Sequence, residues 1–555
     1  MIYQLIVSVF LLFYFYAFGL LFQKVLPQIN HYFSLTILNG MIGVGLISFV
    51  LAFVIPLNFT YEICLIILAL FGLIYYKKRS IEFLKFFKKI TLYFYLILVC
   101  GLVFTVTYPY ILDHFGYYVP TIKWLDFAGY VKGLSNLEWV FVQNSFWHIL
   151  QASINETSDI YYRLNFILFI VFNLYLIESK SIRLLPFNVI FLFFLNIPSP
   201  DLPVFVLSVI LLNEYLKSEK NVSTYLFFAA IVFVIKPISI LLIVFFLIEY
   251  FRKKEYKNLK DFNLFLIIGL AILFCLKGIV LAGNPLFPLS FTTLENLSWA
   301  SPKSMYILSD VNAKFIPLKD LFIREQVQEM NTLTYYKYVL FSSTLRSIIL
   351  LFILSFTIGL ILLQVFKKEK NKTIYYLLFS VLIKVFFVIF TSPQFRFLLD
   401  VLIVDTLIIL LMLKKEFFSK KWKIFNLALL FVLMIGVITP NIWSKYIKGI
   451  RSFSYIRGFE TPFFLKPGQY DDLEYKSNKI GNFKYNYPIN YTLTYSTKVP
   501  AISSFSLRLY YLNNGYPQQI DSENVKKGFY WKEMNSVEKK YLENLIIEQE
   551  KKQVK

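Results

Sequence analysis

The sequence predicts an all-α polytopic membrane protein of about fourteen transmembrane helices, with a small mixed domain at its C-terminal end. Three observations carry that reading. Of the 555 residues, 57% are hydrophobic and the mean hydropathy is +0.61, above the roughly 45–50% apolar content of soluble domains. The apolar residues fall in blocks of about 15–25, the length that crosses a hydrocarbon core of roughly 30 Å. Alternate loops between those blocks are rich in lysine and arginine, as expected of loops retained in the cytoplasm.

Taken in order, the blocks lie near 2–22, 33–55, 62–76, 91–107, 162–177, 184–196, 202–216, 223–236, 238–251, 262–280, 338–366, 373–390, 397–413 and 424–440. Block 184–196 is short and reads as a tilted, re-entrant or broken helix. Residues 2–22 lack a basic flank and a small-residue cleavage site, so a retained helix is expected there. The basic loops are Lys77 to Lys89, Lys180 to Arg183, Lys217 to Lys220, Arg252 to Lys260, Lys367 to Lys372 and Lys414 to Lys423. With Lys24 they hold 25 Lys and Arg residues, whereas the intervening short loops carry Lys236 and Arg396. The N-terminus, the loops 108–160 and 281–337, and the region 441–555 are then expected outside the cytoplasm. This divides the chain into a multi-pass domain, 1–440, and an extracytoplasmic C-terminal domain, 441–555.

The net charge of +22 sits mostly in those short loops. It is therefore an orienting charge, and no Arg-rich or Gly-rich segment points to nucleic acid. Cys64, Cys100 and Cys275 lie in or at the ends of apolar blocks and form neither a disulfide framework nor a metal set. Phosphate-cradling, dinucleotide and nucleophile-elbow motifs are absent, and no His or carboxylate cluster has metal-ligand spacing. The C-terminal region is polar. Asn482 to Thr494 reads as short strands and turns, and a final helix is expected to begin at Asn535, capped by Asn535 with Glu538 completing a capping box.

Candidate chemistry gathers in the outer loops. Asp113, in Tyr110-Ile-Leu-Asp113-His114-Phe-Gly-Tyr117-Tyr118, is a carboxylate just outside a membrane helix among aromatic rings, where a general base would sit. The alternative is a solvated cap for the helix starting near Pro120. Residues 118–133 carry apolar side chains at helical spacing, as suits a helix in the interface plane or one packed on other loops. Lys236, Lys277 and Arg396 are cations at outer helix ends. They can hold a lipid phosphate, Arg396 in a bidentate manner, or they can reach for head groups. Arg396 can also pair with Asp400, four residues on. Lys384 and Asp405 are ionisable groups nearer mid-span. Gly283-Asn284-Pro285-Leu286-Phe287-Pro288 stops a helix at a turn, and His148 is expected to be a packed loop residue.

The Asp113-x-x-x-Tyr117 stretch, the turn at 283–288 and the Pro393-x-x-Arg396-Phe397 stretch resemble the GT-C superfamily of membrane glycosyltransferases. The run from Tyr118 to Asn155, with Ile122-Lys-Trp-Leu, Gly133-Leu-Ser-Asn136 and Asn144-Ser-Phe, looks like an uncharacterised, GT-C-like family of large bacterial membrane proteins. The resemblance spans roughly residues 90–440 and leaves out the tail. Two features depart from the superfamily. Three extra helices precede the first large loop, and Asp113 is followed by His114 where some members carry a second acid, so no metal or other cofactor is expected.

The resemblance implies transfer of a sugar from a polyprenyl-phosphate donor to a cell-surface glycan or lipid acceptor, outside a bacterial cytoplasmic membrane. Asp113 would be the catalytic base. Lys236, Lys277, Arg396, His114 and Tyr117 would bind substrate, with the cations offsetting charge on the departing phosphate. Two alternatives stand beside it: a surface-polysaccharide polymerase or ligase, and a lipid or solute transporter. Asp113, early in the chain, argues against the first, and the absence of two similar halves argues against the second.

Overall fold

A computed structural model describes residues 1–88, 90–218, 221–257, 261–367, 371–418, 420–439, 460–470, 474–489 and 493–553. Lys89, Lys220, Lys260, Lys368 and Lys370 of the basic loops, all of 440–459 and the segment 490–492 expected to continue the strands lie outside the described residues. The fold is mostly helical. Among the described residues six helices are long and apolar enough to cross a membrane: Ile2–Phe22 (α1), Phe33–Leu51 (α2), Phe262–Ala282, Leu345–Phe366, Lys372–Thr391 and Lys420–Ile438. A seventh span is formed if Phe59–Tyr75 (α3) and Lys77–Phe87 (α4), which meet at 90°, count together.

The other expected blocks are helical but short. Leu92–Thr105 (α5) and Leu399–Met412 have 14 residues each and Leu241–Arg252 has 12. At 1.5 Å per residue, 14 residues rise only about 21 Å. Block 184–196 is broken into Ile182–Leu184, Phe187–Phe191 and Leu192–Phe194. Asp201–Ser218 has the length of a span but carries Asp201, Glu214 and Lys217.

The chain divides into two compact units. The first holds Met1–Leu202, Ile272–Pro302 and Phe418–Lys555. In it α1 and α2 approach at glycines: a Cβ on Gly40 would stand 1.7 Å from the Phe15 carbonyl oxygen, and one on Gly19 would stand 1.9 Å from that of Thr36. Small residues allow such contact where lipid supplies no hydrophobic drive between helices. Carboxylates then fasten chain ends. Glu178 accepts from the Phe33 and Ser34 amides at 2.7 and 2.8 Å, the unpaired donors at the start of α2. Glu62, fully buried in the first turn of α3, accepts from the amides of Glu156, Thr157 and Ser158 at 2.9 Å each, and from the hydroxyls of Thr157 and Ser158.

The tail belongs to this unit. Tyr475–Ile480 (β1) and Phe483–Pro488 (β2) form an antiparallel hairpin turning at Gly481, whose φ of +57° suits glycine. Gly515–Gln519 (β3) pairs with Phe529–Glu533 (β4). The last helix, Ser536–Gln553, carries the expected capping box: Glu538 N–H donates to Asn535 Oδ1 at 2.9 Å and Asn535 N–H to Glu538 Oε2 at 3.0 Å.

The second unit holds Pro203–Ala271 and Lys303–Phe417. There Glu255 accepts from the Val222 and Ser223 amides that open Val222–Ile235. Lys384, fully buried, pairs with Asp400 at 2.5 Å, and Thr357 donates to Asp405 at 2.5 Å.

Candidate functional site

Beyond α5 the chain enters the loop that carries Asp113. Asp113 opens a single π-helical turn, His114–Tyr118, that runs without a break into a helix over Val119–Ala128 (α6) with Pro120 in its first turn. Such turns are rare and recur at functional sites, because the extra residue re-aims the side chains around it. Asp113 is half-buried, and its side chain makes no capping bond to the turn it opens. The carboxylate is therefore not held by the capping role that its position suggests. α6 buries Val119, Ile122, Trp124 and Leu125 against neighbouring segments, the packed one of the two arrangements expected for it.

Both histidines of this region are buried. His114 lies against Phe115 at 5.0 Å and Tyr495 at 5.4 Å, and His148 against Tyr118 at 4.8 Å and Tyr117 at 5.9 Å. Among the described residues the His114 ring nitrogens have no hydrogen-bond partner, and the Pro198 carbonyl is the one polar group that reaches the His148 ring. Burial pushes His148 down to about 3, with the Lys277 cation adding to the shift and the Pro198 carbonyl opposing it. Burial, Arg163 and His148 hold His114 well below its ordinary value. Two neutral imidazoles thus sit inside an aromatic wall, each able to donate once and accept once. Buried polar groups left without partners are uncommon and call for a functional reason. The expectation of His148 as packed agrees with its burial.

Tyr118 links these rings to two carboxylates. Burial raises its hydroxyl well above the ordinary value; Tyr117, Asp113 and Asp201 add to the rise, and a hydrogen bond with Ser199 opposes it. Asp201 begins the helix Asp201–Ser218, and Ser199 Oγ donates to it at 3.1 Å. Asn196 fixes this strand of chain by donating to Thr107 Oγ1 at 3.1 Å and the Tyr108 carbonyl at 2.9 Å. Asp201 is absent from the expected site. Its signal was the acid in Ser199-Pro200-Asp201 at the outer start of an apolar block.

Of the expected residues, Asp113, His114, Tyr117 and Lys277 fall in the first unit. Lys277 is buried, its ammonium donating to the Asn144 carbonyl and facing Phe274 at 5.3 Å and Phe49 at 5.9 Å. Lys236 and Arg396 fall in the second unit and come together there: Lys236 Nζ lies 5.7 Å and the Arg396 guanidinium 5.0 Å from the centre of the Phe397 ring. Asp400, the expected alternative partner of Arg396, forms the buried pair with Lys384. Among the described residues no group of three or more His, Cys, Asp or Glu side chains is arranged to hold a metal ion.

The tail reaches the same loop. Tyr495 N–H donates to the Phe115 carbonyl at 3.0 Å and its ring packs on His114 and Phe115, while Lys123 Nζ donates to the Ser496 carbonyl at 2.7 Å. Arg163, 1% exposed, donates to the carbonyls of Thr105, Tyr161 and Gly468 at 2.9, 2.6 and 2.9 Å. Further along, buried Glu138 accepts from Ser503 Oγ at 3.1 Å and from Ser506 Oγ, at the start of Ser504–Leu512. Burial pushes the Glu138 carboxyl from 4.5 up to about 7, the serine hydroxyls opposing. With the tail packed on it, Glu138 of the loop therefore holds a proton that it releases when the tail lifts away. Its contribution to docking is full below about pH 4.5 and is lost as pH rises through about 7. Protease resistance of the tail is expected to fall from about pH 5 to about pH 8 and to fall much less in Glu138→Gln. Identical profiles for both proteins would contradict this assignment.

One family model, a domain of unknown function (DUF8201), matches residues 1–403, a stretch that includes every residue of the expected site and Asp201 and stops short of the tail. No curated protein and no solved structure matches the chain. The match covers more than half of the sequence, and the chain belongs to the DUF8201 family.

Proposed function

We propose that the protein is a GT-C-like membrane glycosyltransferase of about fourteen spans that moves a sugar from a polyprenyl-phosphate donor to a glycan or lipid acceptor on the outer face of a bacterial cytoplasmic membrane. The observation that carries the reading is Asp113: a half-buried carboxylate at the start of a π-helical turn, in an aromatic loop where its charge and that of Asp201 both bear on Tyr118. The short helices count as spans in this reading, tilted or in thinned bilayer. Contacts within the first unit support the sidedness. Segments expected outside touch one another, as Ala52 with Tyr130 and Val106 with Gly468, and segments expected inside do likewise, as Glu178 with Phe33 and Tyr93 with Lys423.

In this mechanism Asp113 takes the proton of an acceptor hydroxyl as its oxygen bonds to the anomeric carbon. The bond from that carbon to the lipid-phosphate oxygen breaks, and the phosphate leaves with the electron pair. Within the second unit Arg396 and Lys236 gather at the Phe397 ring, and their role as phosphate-binding cations is proposed from the resemblance alone. Their effect is greatest in the transition state, which is what lowers a barrier. The neutral histidines and tyrosines suit sugar hydroxyls, which need donors and acceptors without net charge.

Arg396→Lys tests the phosphate role. A point charge cannot replace a planar fork, so a transfer rate at least about tenfold below wild type is expected at equal expression. If the arginine only reaches for head groups, lysine serves as well. Wild-type transfer by Arg396→Lys would remove this residue from the site.

A further inference from the structure

We propose that α4 is a surface helix that binds the head groups of anionic phospholipids, at the opposite end of α3 from the candidate site. This inference rests on the chain spanning a membrane and not on any reading of its chemistry. α3 shows Ile67, Leu68, Leu70, Phe71 and Ile74 on its exposed side, as a lipid-facing helix does. Its 17 residues rise about 25 Å, most of a hydrocarbon core, and there the sequence turns to Lys77-Lys78-Arg79. Three successive cations cannot continue into lipid without a large cost. The helix breaks by 90° instead. Ser80 Oγ donates to the Leu73 and Tyr76 carbonyls at 3.1 and 3.3 Å, satisfying groups that the break sets free.

After the break, α4 divides into three arcs. One arc is pinned to the protein. Phe83, fully buried, stacks on Tyr16 at 4.3 Å and meets Phe13 at 5.2 Å and Phe33 at 5.5 Å, while Tyr16 donates to the Arg79 carbonyl at 3.3 Å. The second arc sets Ile81 and Leu84, 41% and 52% exposed, in one stripe with Lys77 and Lys88 at helical spacing. The third arc holds exposed Lys78 and Lys85, with Glu82 as its one acid.

A stripe that alternates exposed leucine and isoleucine with lysine fits the boundary between acyl chains and head groups. An acidic soluble partner would match the lysines and leave those two apolar side chains without a matching surface. The occupant is therefore the bilayer itself, through phosphates that carry net negative charge.

The test uses the full chain in detergent micelles with equimolar phosphatidylglycerol and phosphatidylcholine, reading bound lipid by native mass spectrometry. The wild type should retain phosphatidylglycerol preferentially. A cation near an anionic surface is worth about fivefold in binding, so the combined variant Lys77→Gln, Lys78→Gln, Lys85→Gln, Lys88→Gln should lose at least that factor of preference. A second variant, Ile81→Ser with Leu84→Ser, keeps every charge and should lower retention of both lipids. An unchanged preference in the lysine variant would overturn the proposal. So would release of phosphatidylglycerol by millimolar inorganic phosphate, which would mark a phosphate site instead of a lipid surface.

Discussion

Asp113→Asn is expected to insert and accumulate like the wild type while losing transfer by a factor on the order of a hundred or more, the usual consequence of removing a general base. The two halves of that expectation come from different facts. Asparagine matches aspartate in size and caps a helix about as well, and Asp113 makes no capping bond that the fold would miss. Chemistry is a different matter, because an amide cannot take a proton from a hydroxyl. Complementation of a deletion strain, with surface glycans resolved by gel and the protein quantified in the same membranes, separates the two. Normal glycans at native expression would end the mechanism proposed for Asp113 and leave the membrane architecture standing. Loss of the protein from the membrane would show that the carboxylate is structural after all.

Arg163→Met should produce the largest loss of stability. The guanidinium joins the end of α5, the loop and the tail by hydrogen bonds to Thr105, Tyr161 and Gly468. Methionine fills much of the volume but leaves the buried Thr105 and Gly468 carbonyls and the part-buried Tyr161 carbonyl without this donor, and removes the cation near Asp159, whose Oδ2 accepts from the Arg163 amide at 2.6 Å. Breaking a buried charged set by deleting one partner costs about 3–5 kcal/mol. In a detergent-solubilised melt this should appear as a clear fall in the aggregation temperature. Arg163→Lys should recover part of it, since lysine restores the charge but reaches fewer of the carbonyls. A melting curve for Arg163→Met that overlays the wild type would show that the tail is held by other contacts.

Features with a local cause could be read from the sequence. The apolar blocks and the turn at Gly283 follow from neighbouring residues alone, and so do β2, within the expected Asn482 to Thr494, and the Asn535–Glu538 capping box, whereas β1 lies before the expected segment. Asp113 was legible as an acid in an aromatic loop, but its π-helical setting was not, because a π turn differs from an α turn by one residue of register that packing decides. The basic run after α3 read as a loop. It is a helix because Phe83 finds a ring wall contributed by α1 and α2. Arg163 was hidden at the edge of an apolar block, where a lone cation looks like an interface residue; its role depends on Gly468, 305 positions away. Tyr495 was missed for the same reason. Contacts of such separation leave no periodicity or motif behind them, and the tail's place against the loop is made entirely of them.

Purified protein in liposomes, supplied with a polyprenyl-phosphate sugar and an oligosaccharide or lipid acceptor from the host envelope, tests the central claim most directly. The measured quantity is labelled sugar covalently joined to acceptor, with movement of the intact donor between leaflets followed in the same vesicles. The account predicts labelled product from the wild type, almost none from Asp113→Asn, and equal insertion of both. Movement of donor or acceptor across the bilayer without product, at the same rate in wild type and Asp113→Asn, would contradict it and mark the chain as a transporter.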